Sequence, residues 1–287
     1  MSQAHVMPRT ETAPPTRSSK IDEALAVSIV IPVFNEGPNI TYTLQAIEQH
    51  IHVPHETIIV YDMDDDSTVP VVRRLIAEGW RTALIKNIVA RGPSGALRTG
   101  FAAAQGPKVL VVMGDGCDDL APVDTLLKLV PEEVDVVCPS RYCRGGAQFL
   151  SGTPPVKAWI PRAAGRLLQW FSGIPTVDPT NSFKLYSARL LREVRLVSTV
   201  SFSVTLEIVA KAHCLGYRIV EVPTVWRDRT HGKSHFKIGR SVIAYFPWFC
   251  LALLRGRLIR MPMTWLRAWC GSPAVPVVEH PPLVQHA

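Results

Sequence analysis

The chain is predicted to be an α/β protein built on a mostly parallel sheet flanked by helices. Three observations predict it. Short β-branched and apolar runs alternate with helical stretches at a spacing that suits βαβ units. The runs stop at polar clusters: Phe34-Asn35-Glu36, Asp62-Met63-Asp64-Asp65-Asp66, the stretch 114–119 (GDGCDD) and Ser140-Arg141-Tyr142. Open sheets of this kind bind ligands at the carboxyl ends of their strands, so these four ends, three of them acidic, read as one site. Finally, 47% of the 287 residues are hydrophobic, enough for a sizeable core and too many for a disordered chain.

In order, residues 1–25 are rich in Pro, Thr, Ser and Ala without periodicity, and a disordered tail is expected. Val27–Val33 (VSIVIPV) is a continuous β-branched run and reads as a buried strand. A helix over 40–50 follows, then strand 57–61, helix 71–79 closed by glycine, and strand 81–87. Helix 95–105, strand 109–113, helix Val123–Leu129 and strand 134–139 continue the alternation. The second half is less regular: helices over 156–171, 187–196 and 205–214, then a short strand at 218–223 stopped by proline. These elements place one domain over 26–238.

The net charge of +7 is local. Between Arg227 and Arg267 stand nine Lys/Arg and one acid, Asp228; the rest has 22 basic and 23 acidic residues, close to balance. That argues for one anionic surface and against general nucleic-acid binding. Within the basic segment, residues 241–254 carry no charge, yet fourteen residues containing Pro247 fall short of the about twenty a spanning helix needs. An amphiphilic helical, membrane-associated segment is expected over 239–270, and a loose proline-rich tail over 271–287. Six cysteines without CxxC or metal spacing read as reduced thiols, and the polar N-terminus shows no signal peptide.

The stretch 111–119 (VVMGDGCDD) is the strongest chemical signal. A buried strand ending in Asp115, Asp118 and Asp119 can present oxygen ligands to a hard divalent cation; an acidic helix start would have the same composition. At the first strand end, Phe34 and Glu36 can hold a planar base and its ribose. One of Asp62, Asp64, Asp65 and Asp66 can accept a base N–H. The glycines of 91–101 (RGPSGALRTGF) match no phosphate-loop pattern and read as a tight turn into a closely packed helix. Arg141, beside Gly145 and Gly146, can clamp a phosphate. The 227–235 loop sets Arg229 and Lys233 among glycine and His231 and His235, where it can fold over a diphosphate; no third ligand lies near for the histidines to share a metal. Each of these, alone, is also an ordinary solvated turn.

Taken in order, the motifs resemble those of glycosyltransferase family 2, and within it the polyprenyl- and dolichyl-phosphate mannosyltransferase group. The resemblance runs from residue 27 to about 237: PVFNE, the acidic second strand end, GxxGAxxxG, the DxD-like region, SRYxxGG, the run Asp178-Pro179-Thr180-Asn181-Ser182-Phe183, Glu207, GYRIVEVP and RxxGKS. It departs in four places. GDGCDD stands where the group has DAD followed by a polar residue, so the ligands fall to Asp115 with Asp118 or Asp119. Tyr61-Asp62-Met63-Asp64 differs from the common VDD, NSF stands for SGF, and His235 for lysine.

The resemblance implies a GT-A fold and Mg2+ or Mn2+ held by Asp115, Asp118 and Asp119. It implies Pro32, Phe34, Glu36, Asp62, Asp64 and Gly92 around the nucleotide. It implies Asp115, Arg141, Arg162, Arg229 and Lys233 as the catalytic set, with Arg141 and Arg162 on an acceptor phosphate. The implied donor is GDP-mannose or UDP-glucose, the acceptor a polyprenyl phosphate, and the place the cytoplasmic face of an anionic membrane. Two other readings stay open: a family 2 enzyme with a hydroxyl acceptor, which needs a carboxylate base, and a nucleotide-sugar-binding protein without turnover.

Overall fold

A computed structural model describes residues 24–149, 155–228, 238–254 and 261–271. Its elements, in chain order, are β1 (Val27–Val33), α1 (Gly37–His50), β2 (His55–Tyr61), α2 (Thr68–Ala77), β3 (Thr82–Lys86), α3 (Pro93–Ala103), β4 (Lys108–Val111), α4 (Val123–Leu129) and β5 (Val136–Ser140). There follow β6 (Ala147–Phe149), α5 (Pro155–Ser172), β7 (Lys184–Ser187), α6 (Ala188–Glu193), α7 (Ser203–Leu215), β8 (Ile219–Pro223), β9 (Val225–Arg227), α8 (Ile238–Leu253) and α9 (Met263–Cys270). All but residues 24 and 25 of the expected N-terminal tail lie outside the described residues, as do 255–260 and the C-terminal tail beyond 271.

Seven strands form one sheet in the order β3-β2-β1-β4-β7-β5-β8. All pairings are parallel except those of β7, which runs antiparallel to both β4 and β5. Every residue of β1 is buried because the strand is covered on both faces. Its odd residues, Ile29 and Ile31 among them, join a core with α1, α2 and α4. Val30 points the other way, into a core built with α3, α6, α7, α8 and α9. The period-two alternation of a strand thus becomes a three-layer sandwich.

The predicted strands and helices form, with ends displaced by a few residues, and β6, β7, β9 and α9 are additions. The addition of β7 matters most. Residues 184–187 read KLYS, with a lysine and a serine where a strand is usually recognised by apolar continuity. The lysine is nevertheless fully buried: its ammonium donates to the main-chain oxygens of Asp178 and Asn181. Because β7 is antiparallel, its beginning lies at the edge where the parallel strands end. The preceding loop, Asp178 to Phe183, is thereby brought to the site.

The uncharged stretch 241–254 lies mostly in α8. Leu251 and Ala252 are buried against α7, and the Lys211 ammonium sits 5.0 Å from the Trp248 ring centroid. Val242, Ile243 and Phe246 are exposed. Among the described residues no helix is long and apolar enough to cross a membrane.

Candidate active site

Past β4 the chain leaves the sheet through a tight turn. Gly116 has φ +71°, a conformation that strains any side-chain-bearing residue. The Thr43 hydroxyl donates to the Gly114 carbonyl at 3.2 Å and ties the turn to α1. Asp115 accepts from the Cys117 N–H at 3.2 Å, and Asp118 accepts from the Met113 N–H at 2.9 Å. The turn folds back on itself and sets these two carboxylates against each other.

The electrostatics register that closeness. Burial, and then the Asp115 carboxylate, push the pKa of Asp118 up to about 7; the Met113 N–H, Arg141 and Lys184 only partly offset this. A buried carboxylate with a second carboxylate's field upon it is relieved by a cation, so the residues fit a divalent ion. The third expected ligand, Asp119, has a different partner. Asp119 turns to cap the Ala121 N–H at 3.3 Å, and among the described residues no three His, Cys, Asp or Glu side chains gather to hold a metal. Two carboxylates would be enough to hold a divalent ion of the Mg2+ type.

Beside this turn, the end of β1 is shaped by Asp66, a residue to which sequence reading gave no separate role. Asp66 is buried; its carboxylate accepts the N–H groups of Asn35 and Thr68. It thereby holds Asn35 at φ +56°. Phe34 is left 41% exposed, and the Glu36 carboxylate accepts from the Asn39 amide at 2.7 Å. Pro32 is buried within β1 and shapes the strand end from inside. Asp62 accepts the Gly92 N–H at 2.7 Å on one oxygen and the Asn87 amide at 2.6 Å on the other. It closes the loop leading into α3. Asp64 departs from the cluster: it pairs with Lys86 on the exposed surface, and that contact lowers its pKa. The glycines downstream serve packing, as their pattern predicted: a Cβ on Gly100 would lie 2.3 Å from Val30 Cγ1.

The third wall is built across β5 and β7. Arg141, just past β5, donates from Nε (2.7 Å) and Nη2 (2.8 Å) to the two oxygens of Asp178; its main-chain N–H adds a third bond at 3.1 Å. Burial opposes both charges. Their mutual attraction prevails, raising the pKa of the guanidinium and lowering that of the carboxylate. The Arg141 guanidinium also lies 4.9 Å from the Tyr142 ring centroid, and that of Arg162, from α5, lies 5.9 Å from the same centroid. The two arginines expected to share an anion are therefore gathered at one ring, Arg141 fixed by its carboxylate and Arg162 exposed. Asp178 was legible only as part of a motif, and Tyr142 only as a neighbour of Arg141. Under this wall Glu221 accepts from the Thr176 hydroxyl (2.8 Å) and the Val177 N–H (2.6 Å). Glu207 is ion-paired with Lys211 and accepts the N–H groups of Val197 and Ser198, which makes it a support of the 195–198 segment.

The basic loop starts at the acidic turn. Trp226 in β9 forms an antiparallel bridge with Asp118, and the Arg227 N–H donates to the Cys117 carbonyl at 3.2 Å. Arg229, His231, Lys233 and His235 follow at once in the sequence and lie outside the described residues.

Residues 28–195 match the profile of Glycosyl transferase family 2. The chain is 24% identical to a dolichol-phosphate mannosyltransferase of Pyrococcus furiosus over 89% of its own length and 77% of that protein's. It is 25% identical to an undecaprenyl-phosphate mannosyltransferase of Micrococcus luteus, covering 83% and 99%, respectively. A dodecaprenyl-phosphate galacturonate synthase of Rhizobium johnstonii is 26% identical over 76% of this chain, which spans 64% of that relative. Among solved structures, glucosyl-3-phosphoglycerate synthase of Mycobacterium tuberculosis, crystallised with Mn2+, UDP and glucosyl-3-phosphoglycerate, superimposes with a TM-score of 0.57. That match has 18% identity and covers 83% of this chain and 81% of the other. The shared architecture is the GT-A fold.

Proposed function

The chain belongs to glycosyl transferase family 2 and is a glycosyltransferase; from that premise we propose that it moves a hexose, mannose by preference, from a nucleotide sugar to a polyprenyl phosphate at the cytoplasmic face of a membrane. The observation that carries this reading is the gathering of Arg141 and Arg162 at Tyr142, across from the Asp115–Asp118 turn. One wall suits an anionic acceptor and the other suits a cation on the donor diphosphate. The names of the relatives point the same way: their acceptors are dolichol, undecaprenyl and dodecaprenyl phosphates.

The roles divide along the strand ends. Phe34, Pro32 and Glu36 flank the base and ribose, with the Asp62–Gly92 corner closing that side. Asp64 takes no part, because Lys86 holds it at the surface. Asp115 and Asp118 would hold Mg2+ or Mn2+, which would supply charge neutralisation for a diphosphate leaving group. Arg229 and Lys233, which follow Arg227 in the sequence, would bring cations to the leaving group. Arg141 and Arg162 orient the acceptor phosphate. A phosphate oxygen bonds to the anomeric carbon as its bond to the diphosphate breaks, with inversion and no proton to remove. A hydroxyl acceptor would need a carboxylate base, and two carboxylates of this wall, Asp178 and Glu221, already have hydrogen-bond partners.

The test is incubation of the detergent-solubilised protein with radiolabelled GDP-mannose or UDP-glucose, Mn2+ or Mg2+, and polyprenyl phosphate. Label in the organic phase is the expected result, and the donor that supplies it identifies the sugar. Label only in water-soluble acceptors overturns the lipid reading, and donor binding without product marks a protein that does not turn over.

A further inference from the structure

A polar cleft opens on the sheet edge opposite the catalytic one. Asp135 precedes β5 and Tyr217 precedes β8, whereas Arg141 follows β5. The two strands are parallel, so their starts lie together, away from the ends that build the site above. The antiparallel β7 finishes at this edge and runs straight into α6. The end of α9 closes the other side: Gly271 bridges Val194, and the Arg195 N–H donates to the Cys270 carbonyl at 3.1 Å. The cleft has a volume of about 490 Å3, inside the roughly 300–1,000 Å3 of small-molecule sites. Arg267, the last cation of the basic segment read from the sequence, lines it.

The side chains around this space divide into those already engaged and those with bonds to give. Asp135 is buried and accepts from the Ser187 hydroxyl (3.0 Å), the Arg218 N–H (3.1 Å) and Nη2 of Arg189 (2.8 Å). That last bond fixes one corner of the Arg189 guanidinium, which also stands 5.6 Å from the Tyr217 ring centroid. The Arg189 side chain is nevertheless 58% exposed, and its fork has further N–H groups to donate. Glu193 accepts from the Tyr217 phenol; burial and this carboxylate raise the phenol's pKa and keep it a donor. Arg267 is exposed and forms no ion pair among the described residues. A buried carboxylate thus aims one guanidinium, and a second stands in the same cleft without a counter-charge. Two guanidinium groups with donors to spare suit a phosphate. Glu193 keeps acceptor capacity beyond the phenol and suits a ligand hydroxyl.

We propose that this cleft binds a small phosphate ester of a polyol, with Arg189 and Arg267 on the phosphate and Glu193 on a hydroxyl. The site is separate from the catalytic edge and does not depend on which acceptor the enzyme uses. Its occupant joins α6, the turn before β8 and the end of α9. Because the folded chain alone assembles these elements, binding stabilises the fold.

The experiment uses the full chain, with glucose 6-phosphate as the probe and inorganic phosphate, glucose and sodium chloride of matched ionic strength as comparisons. Titration calorimetry and thermal melting are run on the wild type, Arg267→Gln, Glu193→Ala and Arg162→Gln, each checked for folding by circular dichroism. The wild type and Arg162→Gln are expected to bind the probe and to melt at a higher temperature in its presence. Arg267→Gln should bind it at least about tenfold more weakly. Glu193→Ala should weaken glucose 6-phosphate and not inorganic phosphate. No binding by the wild type, or undiminished binding by Arg267→Gln, overturns the proposal. Loss in Arg162→Gln alone also overturns it, since the probe would then sit on the acceptor wall. An equal rise in melting temperature with sodium chloride does the same, because it marks general screening. A Glu193→Ala variant that binds both phosphates as the wild type does overturns the polyol assignment.

Discussion

The ends of β4 and β5 lie at the same sheet edge and handle charge in opposite ways. Past β4, Asp118 is buried within the field of Asp115 and resists ionisation, first through burial and then through that neighbour. Past β5, a partly buried arginine and a buried aspartate cancel each other through two side-chain bonds. The first end has room electrostatically for a cation. The second is complete and serves as a rigid wall. A charged residue at a strand end thus says little until its partner is known.

The comparison is broken most severely at Asp178. Asp178→Ala leaves Arg141 buried without its partner, and a loss of about 3–5 kcal/mol is expected, read as a lowered midpoint in urea unfolding. A midpoint close to wild type would mean that Arg141 is not fixed by this pair. At the other end the sign reverses. In the folded protein the pKa of Asp118, about 7, lies above the ordinary carboxylate value, so ionisation of Asp118 opposes folding in full above pH 7. That opposition fades as pH falls through 7 toward 4. Asp118→Asn, in EDTA, should therefore melt a few degrees higher than wild type at pH 8 and show no advantage near pH 4. Mn2+ should raise the melting temperature of the wild type and not that of the variant. A variant that is less stable at pH 8, or one still stabilised by Mn2+, would remove Asp118 from the candidate cation site. The smallest effect belongs to Asp64→Ala. Its ion pair with Lys86 is exposed on both sides, and neither unfolding midpoint nor donor binding should change. Weakened donor binding would return Asp64 to the nucleotide site.

Much of this was legible in the sequence for a local reason. The run VSIVIPV reads as a strand buried on both faces because each of its residues must meet a core, and the polar clusters mark where strands leave the sheet. The glycines at 95 and 100 read as packing positions because only a missing side chain allows such close approach. Asp64 and Asp119 show the converse. A carboxylate among carboxylates looks the same in sequence whether it faces a ligand, a surface lysine or a main-chain N–H.

By itself, then, the sequence determined the α/β layering, the identity of the polar strand ends and the local excess of positive charge after Arg227. Each follows from patterns a few residues long. The tertiary structure decided which charges meet. Arg141 and Asp178 are 37 residues apart and come together because β7 runs antiparallel, through a lysine that sequence reading would leave outside. Arg162 reaches Tyr142 because Gly165 lets α5 settle on the Val177 carbonyl. Pairings of this kind depend on sheet order and helix seating, which no short window of residues contains.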